Sequence, residues 1–206
     1  KRGFSQLAVK MAREKAVEKA KQNGVAVAAI RNSSWLGALG IYLVELAEEG
    51  FLAQLWAQNT SCKDAAPVGG IEPRFSTNPV AISFPASGRP MMSDMSTTTL
   101  SMGKTNQLID AGERTPEKVF MDKNGRLTDD PGVMKDNGSM LFIGGAHYGH
   151  KGYALSLWCE ALTAMAGDSC NNPEKDQSQT LVLFVLDISA FAGDDYYDQE
   201  MERFIE

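Results

Sequence analysis

The chain has 206 residues, 43% hydrophobic and 22% charged, enough apolar side chains to bury a sizeable core and too little charge for global disorder. With 20 basic residues against 26 acidic ones, the net charge is −6, and no Lys/Arg cluster offsets it, which argues against nucleic acid or an anionic membrane as partner. The best apolar run, Leu181 to Leu186, is strand-sized and far short of the about 18–20 residues of a membrane span.

Lys1-Arg2-Gly3-Phe4 leads into a charged helical pattern, not an apolar signal core. Cys62, Cys159 and Cys170 are odd in number and widely spaced, as expected of reduced thiols in the cytoplasm. Phe4, Leu7, Ala8, Met11, Ala12, Ala16 and Ala20 recur at three- and four-residue spacing and predict an amphipathic helix stopped by Gly24. Val25 to Ile30 is a continuous small-apolar run, expected to be a strand covered on both faces. The capping side chains Asn32-Ser33-Ser34 then predict a helix over Gly37 to Glu49, ended by Gly50.

Phe51 to Trp56 predicts a second buried strand, and residues 59 to 74 a long irregular connection broken by Pro67, Gly69, Gly70 and Pro73. A loop that long inside a compact domain is more often a binding loop than a passive one. Pro79 to Phe84 and Pro90 to Met95 read as paired strands turning at Ala86-Ser87-Gly88. A helix is expected over Ser96 to Gly112, capped by Ser96 or Thr97, and Asn124-Gly125 signals a two-residue hairpin. Asp129 to Gly138 reads as polar loop and Met140 to Ile143 as a short strand. A helix over Lys151 to Ala166 follows, then a surface loop, the very apolar strand Leu181 to Asp187, and a terminal helix over Asp194 to Ile205. Alternating strands and helices with hairpin signals predict an α/β fold whose mixed, partly antiparallel sheet is flanked by helices.

Several motifs are absent. No G-x-G-x-x-G follows a strand, G-x-S-x-G is missing, and His150 occupies the lysine position of the only P-loop-like glycine spacing. His147 and His150 are the only histidines, the cysteines lack C-x-x-C spacing, and no metal site is expected. Three polar clusters stand at strand–helix junctions, where open α/β sheets place ligands. The first, Arg31-Asn32-Ser33-Ser34-Trp35, reads as a helix cap or as a ligand loop. The second, Asp94-Met95-Ser96-Thr97-Thr98, is a cap or a set of donors to phosphate oxygens. The third, Gly144 to Tyr153, combines four glycines, a helix start and Lys151 as an anion cradle, or else is a flexible loop with a solvated lysine. The methionines, Met91, Met92 and Met95 among them, are expected to fill the core.

At these clusters the chain resembles the second type of malate/L-lactate dehydrogenase family, which includes sulfolactate, ureidoglycolate and 2,3-diketogulonate enzymes. The resemblance is carried by Arg31-Asn32-Ser33-Ser34 with Leu36-Gly37 and Gly40, by Ala66-Pro67-Val68-Gly69-Gly70, and by Thr77-Asn78-Pro79. Asp94 to Thr98, Gly103-Lys104 and His150-Lys151-Gly152-Tyr153 continue it in family order. It implies hydride transfer between NAD or NADP and a 2-hydroxy/2-oxo acid such as malate or lactate. It also implies a non-Rossmann nucleotide-binding domain over residues 1–206, and a homo-oligomer, a dimer or larger. The alternative is a non-catalytic relative that retains fold and assembly.

Carried over by the resemblance, Ser34, Asp94, Met95, Ser96 and Gly152 would line the cofactor, with His150 and Lys151 near its phosphate or ribose end. The residue ending the second strand would be Asn59 counted from the strand or Ser61 counted back from Pro67. Lys151 and Trp35 would occupy catalytic positions, although the family has His where this chain has Trp35, and an indole only donates. The family's S-H-G-x-x-R segment, thought to supply the acid/base His and a carboxylate-binding Arg, is expected to precede this sequence in a longer polypeptide, and a further segment to follow it.

Overall fold

The computed structural model describes residues 3–60, 62–168 and 178–205. In chain order the elements are α1 (Ser5–Asn23), β1 (Val25–Ser33), α2 (Val44–Glu48), β2 (Phe51–Asn59), β3 (Val80–Phe84), β4 (Met91–Met95) and α3 (Met102–Ala111). They continue with β5 (Phe120–Met121), β6 (Leu127–Thr128), β7 (Ser139–Met140), α4 (Gly145–Tyr148), α5 (His150–Met165), β8 (Gln179–Asp187) and α6 (Asp194–Ile205). The chain divides into two compact units. One comprises Lys1–Ala57, Val80–Asp94 and Gln179–Glu206, the other Gln58–Pro79 and Met95–Ser178.

The first unit is built on a five-stranded sheet of order β1-β8-β2-β3-β4. β1 runs antiparallel to β8 from Val25 opposite Leu186 to Ile30 opposite Leu181, and β2 antiparallel to β3 from Ala53 opposite Ser83 to Trp56 opposite Val80. Val9, Ala16 and Ala20 of α1 join Leu181, Leu183 and Val185 of β8 in a core completed by Leu36, Leu39, Leu43 and Leu46. Each of those leucines, almost wholly buried, contributes about 2–3 kcal/mol of transfer free energy. The small residues Ala26 and Ala28 let β1 approach this core closely. Gly24 stops α1 with φ +79 and donates to Ala20 O, as its position in the sequence predicts.

In four places the first unit departs from the pattern expected of its sequence. β1 is an edge strand and not covered on both faces: Val25 and Val27 remain about half exposed. Asn32-Ser33-Ser34 caps no following helix. Asn32 sits at φ +55 in an irregularity of β1, Ser33 Oγ donates to Gln179 O at 2.7 Å, and Ser34 Oγ accepts from Ser5 N–H at 3.2 Å, serving the start of α1. The helix expected over Gly37 to Glu49 shrinks to a 3₁₀ turn at Gly40–Tyr42 and the short α2. Met91, Met92 and Met95 lie on β4, the opposite edge of the sheet, and stay exposed instead of filling the core.

The second unit has a three-stranded sheet of order β6-β5-β7. The hairpin expected at Asn124-Gly125 exists, but its loop spans residues 122–126, because the Asp122 carboxylate accepts from Asn124 N and Arg126 N, each at 2.9 Å. Met121 and Met140 are the methionines that fill this unit's interior. Phe75, Phe142 and Tyr153 cluster with ring centroids 5.4–5.7 Å apart. The helix expected from Ser96 begins only at Met102, with Ser101 as its cap accepting from Lys104 N–H. The β-branched run Thr97-Thr98-Thr99 stays out of the helix instead, with Thr98 bridging Phe142. Residues 131–136 of the expected polar loop wind into a 3₁₀ turn capped by Asp130.

Candidate functional site

The sequence-predicted site residues fall in both units. Ser34, Trp35 and Asp94 belong to the first. Ser34 is engaged through its hydroxyl with Ser5, whereas Trp35 is 72% exposed. The Asp94 carboxylate accepts from Gly40 N–H at 2.8 Å. Asn59, Met95, Ser96, His150, Lys151 and Gly152 belong to the second unit. Ser61 lies outside the described residues. Asn59 N–H donates to Ser76 Oγ at 3.2 Å, and Ser96 Oγ donates to Thr98 O at 2.9 Å, leaving that hydroxyl oxygen able to accept.

Within the second unit, the start of α5 is seated against the Ser96–Thr98 segment. Gly152 N donates to Ile143 O at 3.2 Å, while Ile143 N donates to Thr97 O at 2.9 Å. A Cβ on Gly152 would stand 2.6 Å from Thr97 O and 2.5 Å from Ile143 N, so only glycine fits. Gly149 is similarly constrained, with Gly145 O at 2.6 Å from the corresponding position. Gly144 and Gly145 take φ +100 and +60, and open space surrounds only the Cβ position of Gly145. The four glycines therefore serve chain packing more than ligand approach. Gly145 N and Gly152 N are committed to Phe142 O and Ile143 O, which narrows the expected amide cradle.

His150 and Lys151 project from exposed positions at the helix start, and Lys151 Nζ lies 5.6 Å from the centre of the Tyr148 ring. No carboxylate pairs with Lys151 among the described residues. A cavity of about 190 Å³ adjoins this loop, lined by Pro67, Gly69, Met140, Phe142, His147 and His150 among others. Apolar walls with two imidazoles suit a planar, partly polar group. No three His, Cys, Asp or Glu side chains gather at one point among the described residues.

Sequence reasoning missed two features of this unit. Asp64 precedes the Pro67–Gly70 turn, and burial pushes its carboxyl up to about 6, with the Thr77 N–H partly opposing the rise. Burial and Asp64 push the neighbouring Cys62 thiol up to about 11, which favours its protonated form at neutral pH. The other feature is a buried polar network around Asn78, Ser156 and Glu160. The i, i+4 spacing of Ser156 and Glu160 on an otherwise apolar helix face was the available signal.

Comparison with known proteins agrees with these motifs. The family model for malate/L-lactate dehydrogenase matches residues 1–206. A malate dehydrogenase of Pyrococcus abyssi is 31% identical over 98% of this chain and 58% of its own length. An L-sulfolactate dehydrogenase of Methanothermobacter thermautotrophicus is 33% identical over 98% of this chain and 60% of its own. Among solved structures, the delta1-piperideine-2-carboxylate reductase of Pseudomonas syringae superposes with a TM-score of 0.85 at 29% identity, over 98% of this chain and 62% of that one. The chain thus spans roughly three-fifths of the length of these relatives. With its motifs in order, its mixed α/β fold matched and a family model covering every residue, the chain belongs to the malate/L-lactate dehydrogenase family.

Proposed function

We propose that these residues form the nicotinamide-cofactor-binding part of an oxidoreductase acting on 2-hydroxy/2-oxo acids or their close analogues. The observation that carries this reading is the seating of Gly152 on Thr97, which puts the Ser96 segment beside the exposed His150–Lys151 end of α5. Relatives named for malate, sulfolactate and a cyclic imine carboxylate share a carboxylate next to the reacting carbon, which supports that substrate class.

The donor set fits an NAD(H) or NADP(H) group. Lys151 supplies a full positive charge for a diphosphate or ribose phosphate, His150 a second donor, and Ser96 an acceptor for a ribose hydroxyl. The cofactor would supply hydride transfer. Lys151 would hold anionic oxygens in register. Substrate protonation and carboxylate binding would further need an acid/base group and a cation such as arginine. A homo-oligomer in a reducing cytoplasm is consistent with the family and with the acidic, cysteine-poor composition. Among the described residues no helix is long and apolar enough to cross a membrane.

The second reading, a non-catalytic relative, is favoured by Trp35 at the family's His position. Calorimetric titration of the chain with NADH and NADPH separates the two. Binding of either, weakened about tenfold or more by Lys151→Ala, supports the cofactor reading. No heat with either cofactor supports the non-catalytic one.

A further inference from the structure

The Thr77–Asn78 turn holds two elements of the second unit with adjacent groups. Thr77 O accepts from both Thr97 N and Thr97 Oγ1, each at 3.0 Å, and so fixes the segment carrying Ser96. The next residue, Asn78, is fully buried and held at φ +39, a conformation that asparagine tolerates better than most side chains. Its Nδ2 donates to Ser156 Oγ at 2.8 Å and to Glu160 Oε1 at 2.9 Å, two positions one turn apart on α5. Its Oδ1 accepts from Ser76 Oγ at 2.6 Å. Gln58 Nε2 reaches the other oxygen of the same carboxylate, Glu160 Oε2, at 3.3 Å. Gln58 Oε1 is left buried and without a partner, so this network persists despite an unsatisfied acceptor.

A buried asparagine that merely satisfied itself would need no left-handed backbone and no contact with a carboxylate. Here one side chain ties the turn to a helix whose first residues are His150 and Lys151. Ser156 and Glu160 lie in the second and third turns of that helix, and a rigid helix carries their placement back to its start.

We infer that Asn78 is a positioning residue. It clamps α5 at Ser156 and Glu160 while Thr77 clamps Thr97, and together they set the seat in which Gly152 closes on Thr97 and so the spacing between Ser96 and Lys151. The use of that spacing rests on the cofactor reading above, whereas the seat itself is testable without cofactor.

Asn78→Asp replaces the donor with a carboxylate facing Glu160. The double variant Asn78→Asp/Glu160→Gln restores one donor and one acceptor in reversed order. The measurement is backbone amide exchange, followed by NMR, at Gly152 and Ile143, whose N–H groups bond to Ile143 O and Thr97 O. Ala166 N–H, bonded to Leu162 O at the far end of α5, is the internal reference. Exchange at Gly152 and Ile143 is expected to speed up about tenfold or more in Asn78→Asp, the change for losing a hydrogen bond to a charged group. The double variant returns it to within about threefold of the parent, since the reversed pair remakes that bond. Ser156→Ala removes one acceptor alone, is expected to give a smaller local rise, and decides the matter if Asn78→Asp does not fold.

The inference is overturned if both amides exchange as in the parent, if the rise is equal at Ala166, or if the double variant recovers nothing. NADH and NADPH affinities of the same variants should weaken and recover in parallel. If the parent chain binds neither, the cofactor reading fails while the exchange pattern still decides the role of Asn78.

Discussion

The Asp94 carboxylate anchors the backbone of Gly40, its Oδ2 accepting the Gly40 N–H at 2.8 Å. This bond ties the end of edge strand β4 to the 3₁₀ turn that begins the Gly40–Tyr42 segment. Asp94→Ala removes the acceptor and is expected to lower stability by about 1 kcal/mol. Asp94→Asn keeps a carbonyl oxygen and loses less. Chemical denaturation monitored by far-ultraviolet circular dichroism compares the two, and equal midpoints for Asp94→Ala and parent would remove the anchoring role.

Gly152→Ala sets helix propensity against sterics. Alanine in a helix interior is favoured over glycine by about 1 kcal/mol. The added Cβ, however, meets Ile143 N at 2.5 Å and Thr97 O at 2.6 Å, both main-chain atoms. Overpacking against atoms that cannot swing away costs about 2–3 kcal/mol and wins. Thermal unfolding of the variant should show a lower midpoint, and a higher one contradicts the seat described for α5.

Asp64 gives a defined pH dependence. Its carboxyl titrates at about 6 in the folded chain against an ordinary value of 3.8, because burial penalises the ionised form. The folded state therefore binds the extra proton between those values, and stability falls as pH rises from about 4 to about 6, then levels. The gap between 3.8 and about 6 corresponds to about 3 kcal/mol. Asp64→Asn should flatten this slope, and urea denaturation at pH 4, 5, 6 and 7 measures it. An unchanged slope in the variant would assign the dependence to another group.

Trp35 is 72% exposed and contributes little to the core. Trp35→His is expected to change stability by no more than about 0.5 kcal/mol. The new imidazole should titrate near its ordinary value of about 6.5, checked by proton NMR. A large loss of stability would mean that the indole packs on a surface in solution.

Long, regular elements were legible in the sequence because their pattern and their breakers agreed. α1 ends at Gly24 and α6 runs from Asp194 to Ile205 as read, and the β3–β4 pair turns where Ala86-Ser87-Gly88 places it. Short polar segments were not legible, since serine and threonine bond equally well to a helix start, a strand neighbour or a distant carbonyl. Ser34 thus caps α1 from 29 positions away, and Thr97 bonds to Thr77 instead of opening a helix. The candidate site shows the same division. His150 and Lys151 were visible as a polar pair at a helix start, whereas the partnership of Asn78 with Glu160 depends on a chain crossing. Glycine was misleading in the third cluster, where tight main-chain crossings select it as strongly as a phosphate would.

The bordering position of β1 matters beyond its accessibility. Among the described residues, Gly3 bridges Ser33 in parallel at one end of the strand. Among the described residues no strand pairs with the outer row of peptide groups from Val25 to Arg31, which the apolar Val25 and Val27 flank. Such a row templates the addition of another extended segment. At high protein concentration this margin is where self-association of partly unfolded molecules would nucleate.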